Sequence, residues 1–211
     1  MAITRICLVR HGETAWNVEK RLQGHLDIPL NETGVAQAAA AAQGLAGIEF
    51  AAIYASDLIR ARTTAEAAAQ VLGLPVQLTA ELRERNCGEF QALTQKEAAA
   101  RYADDYHRYH DRDVDFVIPG GESLGGLAAR ITATFNRLAA AHAGQTILIV
   151  SHGGVLDIIH RLATAKPLGA PRDFHISNAA LNWLEVEDGR WTLLKWDDTD
   201  HLDEALDELP G

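Results

Sequence analysis

Two short stretches of the 211-residue chain are apolar without interruption: residues 6–9, Ile-Cys-Leu-Val, and residues 146–150, Thr-Ile-Leu-Ile-Val. A run with no polar alternation is buried on both faces, as in a strand of a parallel sheet. Residues 52–55 and 75–78 read as two further strands. The segments between them have helical spacing. One opens with Thr33 as N-cap and stops at about Gly47. The next runs over residues 58–72, with Ser56 or Asp57 as its cap and Gly73 as its terminator. Residues 94–109 are helical with a break near Asp104-Asp105. A long helix starts at Ser123 and reaches about His142, and a last one covers residues 155–164. Short polar side chains satisfy the free N–H groups at helix starts, and glycine takes the left-handed turn at helix ends. Residues 180–186 and 190–196 flank Asp188-Gly189, a hairpin signal.

This order predicts an α/β fold. It is a single domain over residues 1–211 with three α/β/α layers and a mainly parallel sheet carrying an antiparallel edge element. From Asp197 onward the chain holds seven acids and no Lys or Arg, so this end reads as a loosely held acidic tail or a mobile cover. The hairpin carries Trp183, Trp191 and Trp196 and offers an edge for pairing in a homodimer.

Composition narrows the function. The formal charge of -10 argues against nucleic acid or an anionic membrane as the main partner. It leaves room for a small anionic substrate, because a local cluster of Arg and His opposes the global field. The two cysteines, Cys7 and Cys87, are too few for a disulfide framework and lack metal-binding spacing. There is no leader-like start and no apolar run near the ~20 residues of a membrane span, so the expected location is cytoplasmic.

The candidate chemistry sits where the apolar runs end. One run closes in Arg10-His11-Gly12 and the other in Ser151-His152-Gly153-Gly154. Ligands of open α/β sheets bind at the carboxyl ends of strands. If the two strands are neighbours, both imidazoles enter one cleft, and the glycines bring backbone N–H groups close to an anion. A neutral imidazole is a good nucleophile towards phosphorus, and a protonated one neutralises phosphoryl oxygens. A metal pair is the rival reading, but carboxylate partners at ligand spacing are missing. His107 and His110, three apart on a helix, read as exposed rather than as ligands. Arg10 and Arg60 are fitted to clamp phosphate oxygens, while Arg62 reads as a solvated helix residue.

These residues resemble the histidine phosphatase, or phosphoglycerate mutase-like, superfamily. The resemblance is carried by Leu8-Val9-Arg10-His11-Gly12-Glu13-Thr14, by Asn17, by Arg21-Leu22-Gln23-Gly24 and by Ser56-Asp57-Leu58-Ile59-Arg60. It continues through Leu82-Arg83-Glu84, Gly120-Gly121-Glu122-Ser123 and Ser151-His152-Gly153-Gly154, almost the whole chain. It implies that His11 becomes phosphohistidine, that Arg10, Arg60 and His152 bind the transferring phosphoryl group, and that Asn17, Gln23, Gly24 and Gly153 line the phosphate pocket. It also implies that Glu84, rather than Glu81 or Glu89, is the general acid and then the base. No metal or other cofactor is implied. After Glu84 the stretch Asn86-Cys87-Gly88-Glu89-Phe90-Gln91-Ala92 departs from the aromatic-rich run of many relatives, so the pocket wall differs.

The short span between Glu84 and Ser123 resembles the phosphatase branch, acting on a small phosphorylated metabolite. The alternative is a mutase primed by 2,3-bisphosphoglycerate. Two remoter readings remain: a serine hydrolase built on Gly121-Glu122-Ser123-Leu124-Gly125 with Asp157 and His160, and a binding domain for phosphorylated ligands that does not turn them over.

Overall fold

The computed structural model describes residues 2–202. The strands are β1 (Thr4–Arg10), β2 (Ala52–Ser56), β3 (Val76–Thr79), β4 (Thr146–Ser151), β5 (Leu181–Glu187) and β6 (Arg190–Asp198). They form one six-stranded sheet in the order β3-β2-β4-β1-β5-β6. The first four are parallel, and the β5–β6 hairpin adds antiparallel strands at one edge. The two uninterrupted apolar runs are the adjacent central strands β1 and β4, the positions where both faces must be apolar.

The helices are α1 (Ala15–Val18), α2 (Glu32–Gly44), α3 (Ile59–Leu72), α4 (Gln95–Arg101), α5 (Ala103–His110), α6 (Leu124–Ala141) and α7 (Gly153–Thr164). Strand alternation sorts them into layers. Ile6, Leu8, Ile147 and Ile149 point to α6 and α7. Cys7, Val9, Leu148 and Val150 point to α2 and α3, which meet them with Ala41, Ala42, Ala61, Ala65 and Ala68. The small alanines let these two helices lie close to the sheet. Each fully buried aliphatic side chain of the central strands contributes about 1.5–3 kcal/mol. Among the described residues no helix is long and apolar enough to cross a membrane.

Several helix ends differ from the expected ones, for reasons of local geometry. Asn31, not Thr33, caps α2, accepting from the Gly34 N–H at 2.8 Å. The helix ends at Gly44, ahead of Gly47. Neither Ser56 nor Asp57 caps α3. Asp57 is held by a bidentate pair with Arg83, and the Ile59 N–H donates instead to Asp27 Oδ1 at 2.6 Å. The break between α4 and α5 falls at Tyr102. Gly73 ends α3 and Ser123 opens α6 as expected. Residues 197–202 are tied down rather than loose. Asp197 accepts from the Ser177 N–H and hydroxyl, and His201 Nε2 donates to the Ala179 carbonyl. The remainder of the expected tail lies outside the described residues. The hairpin tryptophans are engaged within the chain: Trp183 stacks on Phe50, Trp191 meets Phe135, and Trp196 meets His160.

Beyond the strand ends, α4, α5 and their flanking loops make a cap with an aromatic core of its own. Phe90 contacts Tyr102, Tyr106 and Tyr109, with Cys87, Phe116 and Ile118 beside them. The segment after Glu84 supplies Cys87 and Phe90 to the centre of this core.

Candidate active site

The register of β1 and β4 decides where the histidines go. Arg10 pairs with Ser151, so the next residues, His11 and His152, leave neighbouring strands at the same height. Their rings stand edge to face, with centroids 5.2 Å apart. His11 Nδ1 lies 2.7 Å from the Gly12 carbonyl. A carbonyl only accepts, so Nδ1 carries the proton and the Nε2 lone pair is available. Burial, then the charges of Arg60 and Arg10, hold the His11 pKa well below its ordinary value. His152 is shifted the same way by burial, then by Arg60 and His11, and neither of its ring nitrogens has a hydrogen-bond partner. Both imidazoles are therefore neutral at neutral pH. Gly12 is needed here because a Cβ on it would lie 2.4 Å from the Gly34 carbonyl oxygen.

Two buried guanidinium groups flank the pair. Arg10 Nη1 donates to the Ile176 carbonyl at 2.6 Å. Arg60, on the first turn of α3, donates to the carbonyls of Gly24 and Leu26, both at 2.8 Å. The loop that receives Arg60 is also the loop whose Asp27 caps α3, so it fixes the helix and its arginine together. Burial pushes the Arg60 pKa down to about 10, which leaves it a cation. Gly24 has φ +50°, and a side chain there would strike Gln91 and the Cys87 N–H.

Glu84 also lines this site. Its Oε2 accepts from the Gly154 N–H at 2.9 Å and its Oε1 from the Arg85 N–H at 2.6 Å. The Glu84 carbonyl is held in turn by His25 Nε2 and Arg130 Nη2. Gly154 lies in the first turn of α7, so the carboxylate rests on the positive end of that helix. Glu81 instead pairs with Arg137.

These groups share one cavity of about 790 Å³. Arg10, His11, Asn17, Gln23, Gly24, Arg60, Glu84 and Gly153 all line it, while His152, fully buried, is not among the wall residues and has its ring centroid 5.2 Å from that of His11. Asn17 helps fold the rim, its Oδ1 accepting from the Thr14 N–H and hydroxyl in a capping box. Arg62 stays outside and pairs with Glu66. His107 is exposed beside Asp111, and His110 is exposed as expected while also lining the cavity mouth. Sequence reasoning did not assign Arg85, Tyr109, Arg112, Asp157 and Arg172 to this site, yet they line the same cavity. Only two of these had a signal: Arg85 adjoins Glu84, and Asp157 lies one helical turn after Gly153.

The serine hydrolase reading fails on geometry. Ser123 Oγ accepts from the Gly126 N–H at 2.9 Å as the cap of α6, while Asp157 pairs with arginines and His160 stacks on Phe174. Among the described residues no three His, Cys, Asp or Glu side chains gather as a metal site.

Known proteins place this geometry in context. A protein named phosphoglycerate mutase-like protein 4, from Arabidopsis thaliana, is 39% identical over 204 residues, covering 95% of this chain and 87% of that protein. A metal-independent phosphoserine phosphatase from the same plant is 38% identical, covering 95% and 84%. The solved structure of Bacillus stearothermophilus YhfR superposes with a TM-score of 0.86 at 29% identity, over 95% of this chain and all (100%) of that one. The profile of the histidine phosphatase superfamily (branch 1) matches residues 6–199. With its two strand-end histidines side by side, this chain belongs to the histidine phosphatase superfamily.

Proposed function

We propose that the protein hydrolyses small phosphomonoesters by passing the phosphoryl group first to His11 and then to water. The reading rests on one observation: a neutral His11 with a fixed tautomer stands among Arg10, Arg60 and His152 and shares a cavity with the Glu84 side chain.

In this reading the phosphoryl oxygens enter among the two guanidinium groups and the N–H groups at the start of α7. His11 Nε2 attacks phosphorus, and the P–O bond to the alkoxide breaks. Glu84 acts as the general acid and gives a proton to that oxygen, a step worth ~10²–10⁴ in rate. The alcohol leaves. Glu84, now a carboxylate, takes a proton from water, which attacks phosphorus and frees His11. The unpartnered His152 ring gains its hydrogen bond when the dianion arrives. The anion's charge raises the imidazole pKa, so His152 takes up a proton and neutralises the oxygens. Arg10, Arg60 and His152 thereby supply the counter-charge in a metal-independent reaction.

A mutase shares the first half-reaction and differs in the second acceptor. The test is a trapping and turnover experiment. Labelled phosphate should appear on His11 in an acid-labile, base-stable bond, and p-nitrophenyl phosphate should release inorganic phosphate steadily. His11→Ala should abolish both. Interconversion of 2- and 3-phosphoglycerate, stimulated by 2,3-bisphosphoglycerate and without net phosphate release, would overturn the phosphatase reading.

A further inference from the structure

The loop that receives Arg60 also reaches the segment that carries Glu84, and His25 makes the crossing. This loop is tied down on both sides of His25. The Gly24 and Leu26 carbonyls accept from Arg60, both at 2.8 Å. The Leu26 N–H donates to the Gln23 carbonyl at 3.0 Å, and Asp27 Oδ1 accepts from the Ile59 N–H at 2.6 Å. The His25 N–H donates to Gln91 Oε1 at 2.6 Å. Its half-buried ring places Nε2 2.8 Å from the Glu84 carbonyl. A carbonyl only accepts, so Nε2 carries the proton. His25 is not among the residues of the cavity wall, so it acts through what it holds.

We infer that His25 is a positioning residue that aims the Glu84 carboxyl through the peptide unit between Glu84 and Arg85. The inference deepens the phosphatase reading and rests on it. The carbonyl at one end of that peptide accepts from His25, and the N–H at the other end donates to Glu84 Oε1 at 2.6 Å. The unit is planar, so fixing the direction of its carbonyl fixes the direction of its N–H. A donor on the carbonyl also polarises the peptide and strengthens the bond made by its N–H. Arg130 Nη2 donates to the same carbonyl, but at 3.3 Å and while also holding Glu122 Oε1 at 2.6 Å. The shorter bond from His25 is the main restraint. Because the carbonyls on either side of His25 hold Arg60, one loop sets both the phosphate clamp and the carboxyl that serves the leaving oxygen.

Three aromatic esters of similar size test this: p-nitrophenyl, phenyl and benzyl phosphate, whose leaving oxygens need a proton increasingly in that order. Loss of one hydrogen bond in His25→Leu should lower kcat/KM for benzyl phosphate by roughly 3-fold to 10-fold and for phenyl phosphate by less. Turnover of p-nitrophenyl phosphate should stay within about twofold, because its phenolate leaves without the acid. His25→Gln, whose side-chain amide reaches about as far as Nε2 and donates to the same carbonyl, should restore benzyl phosphate to near the wild-type value. His25→Asn, too short to reach, should behave as H25L, and the H25N and H25Q pair decides if H25L does not fold. An equal loss on all three esters would mean that His25 serves only the clamp or the fold, and would overturn the inference. So would no loss on benzyl phosphate, or an H25Q variant as impaired as H25N. A wild-type enzyme that cleaves p-nitrophenyl phosphate but not benzyl phosphate has no working acid to position, which also overturns it. Failure of p-nitrophenyl phosphate itself in the wild-type enzyme would instead remove the phosphatase reading.

Discussion

Gly154 offers the sharpest test of the acid–base role of Glu84, because it reaches that carboxyl without changing it. A Cβ built on Gly154 lies 2.2 Å from Glu84 Oε1, 3.1 Å from Cδ and 3.4 Å from Oε2. Gly154→Ala therefore pushes the carboxyl about 1.2 Å before contact becomes ordinary. The obstacle is the end of a flexible side chain, so the fold persists. Within a helix the change to alanine is itself favourable by roughly 0.5–1 kcal/mol. The 2.9 Å bond from the Gly154 N–H stretches as the carboxyl moves. A displacement on the order of 1 Å in a catalytic group lowers the rate by about 10²-fold. For an alkyl phosphate, whose leaving oxygen needs a proton, kcat/KM should fall by about that factor. For p-nitrophenyl phosphate it should stay within a few-fold, since the phenolate departs unprotonated. Water activation also needs Glu84, so stopped-flow should show a burst of p-nitrophenolate followed by slow turnover. An equal drop in kcat/KM for both esters, or no drop for either, would refute the assignment of Glu84.

Two further outcomes follow from the contacts around the site. Ser123→Ala removes the cap of α6 and should lower stability by about 1 kcal/mol, a thermal shift of roughly 2–4 °C at this chain length; kcat/KM should not change, and a large loss of activity in a folded variant would make Ser123 more than a cap. His160, stacked on Phe174 at 3.5 Å, has its pKa lowered from 6.5 to about 4 by burial, then by Lys166. As pH falls the unfolded chain binds this proton first, so the contribution is complete above about 6.5 and is lost between 6.5 and 4. His11 and His152 act in the same direction. Thermal scans over that range should show a steady loss of stability, with a shallower slope in His160→Gln; an unchanged slope would remove His160 from the account.

What the chain determined by itself is what local pattern can encode. Uninterrupted apolar runs announced β1 and β4, helical spacing announced the helices, Gly73 and Ser123 marked two helix ends, and the motifs at the ends of β1 and β4 carried Arg10, His11, His152 and Gly153. These signals lie within a few residues of what they specify. Tertiary structure decided the rest. The pairing of Arg10 with Ser151 puts two imidazoles 141 positions apart in one pocket, a matter of strand order that neither strand states. The cap of α3 comes from Asp27, 32 positions away, and Asp57, the local candidate, is drawn off by Arg83. The outer wall, with Arg112 on Asp157, is assembled across 45 positions. Such contacts form because burial makes a charged or polar group find a partner wherever the packed fold provides one, and that partner is chosen by shape rather than by nearness in the chain.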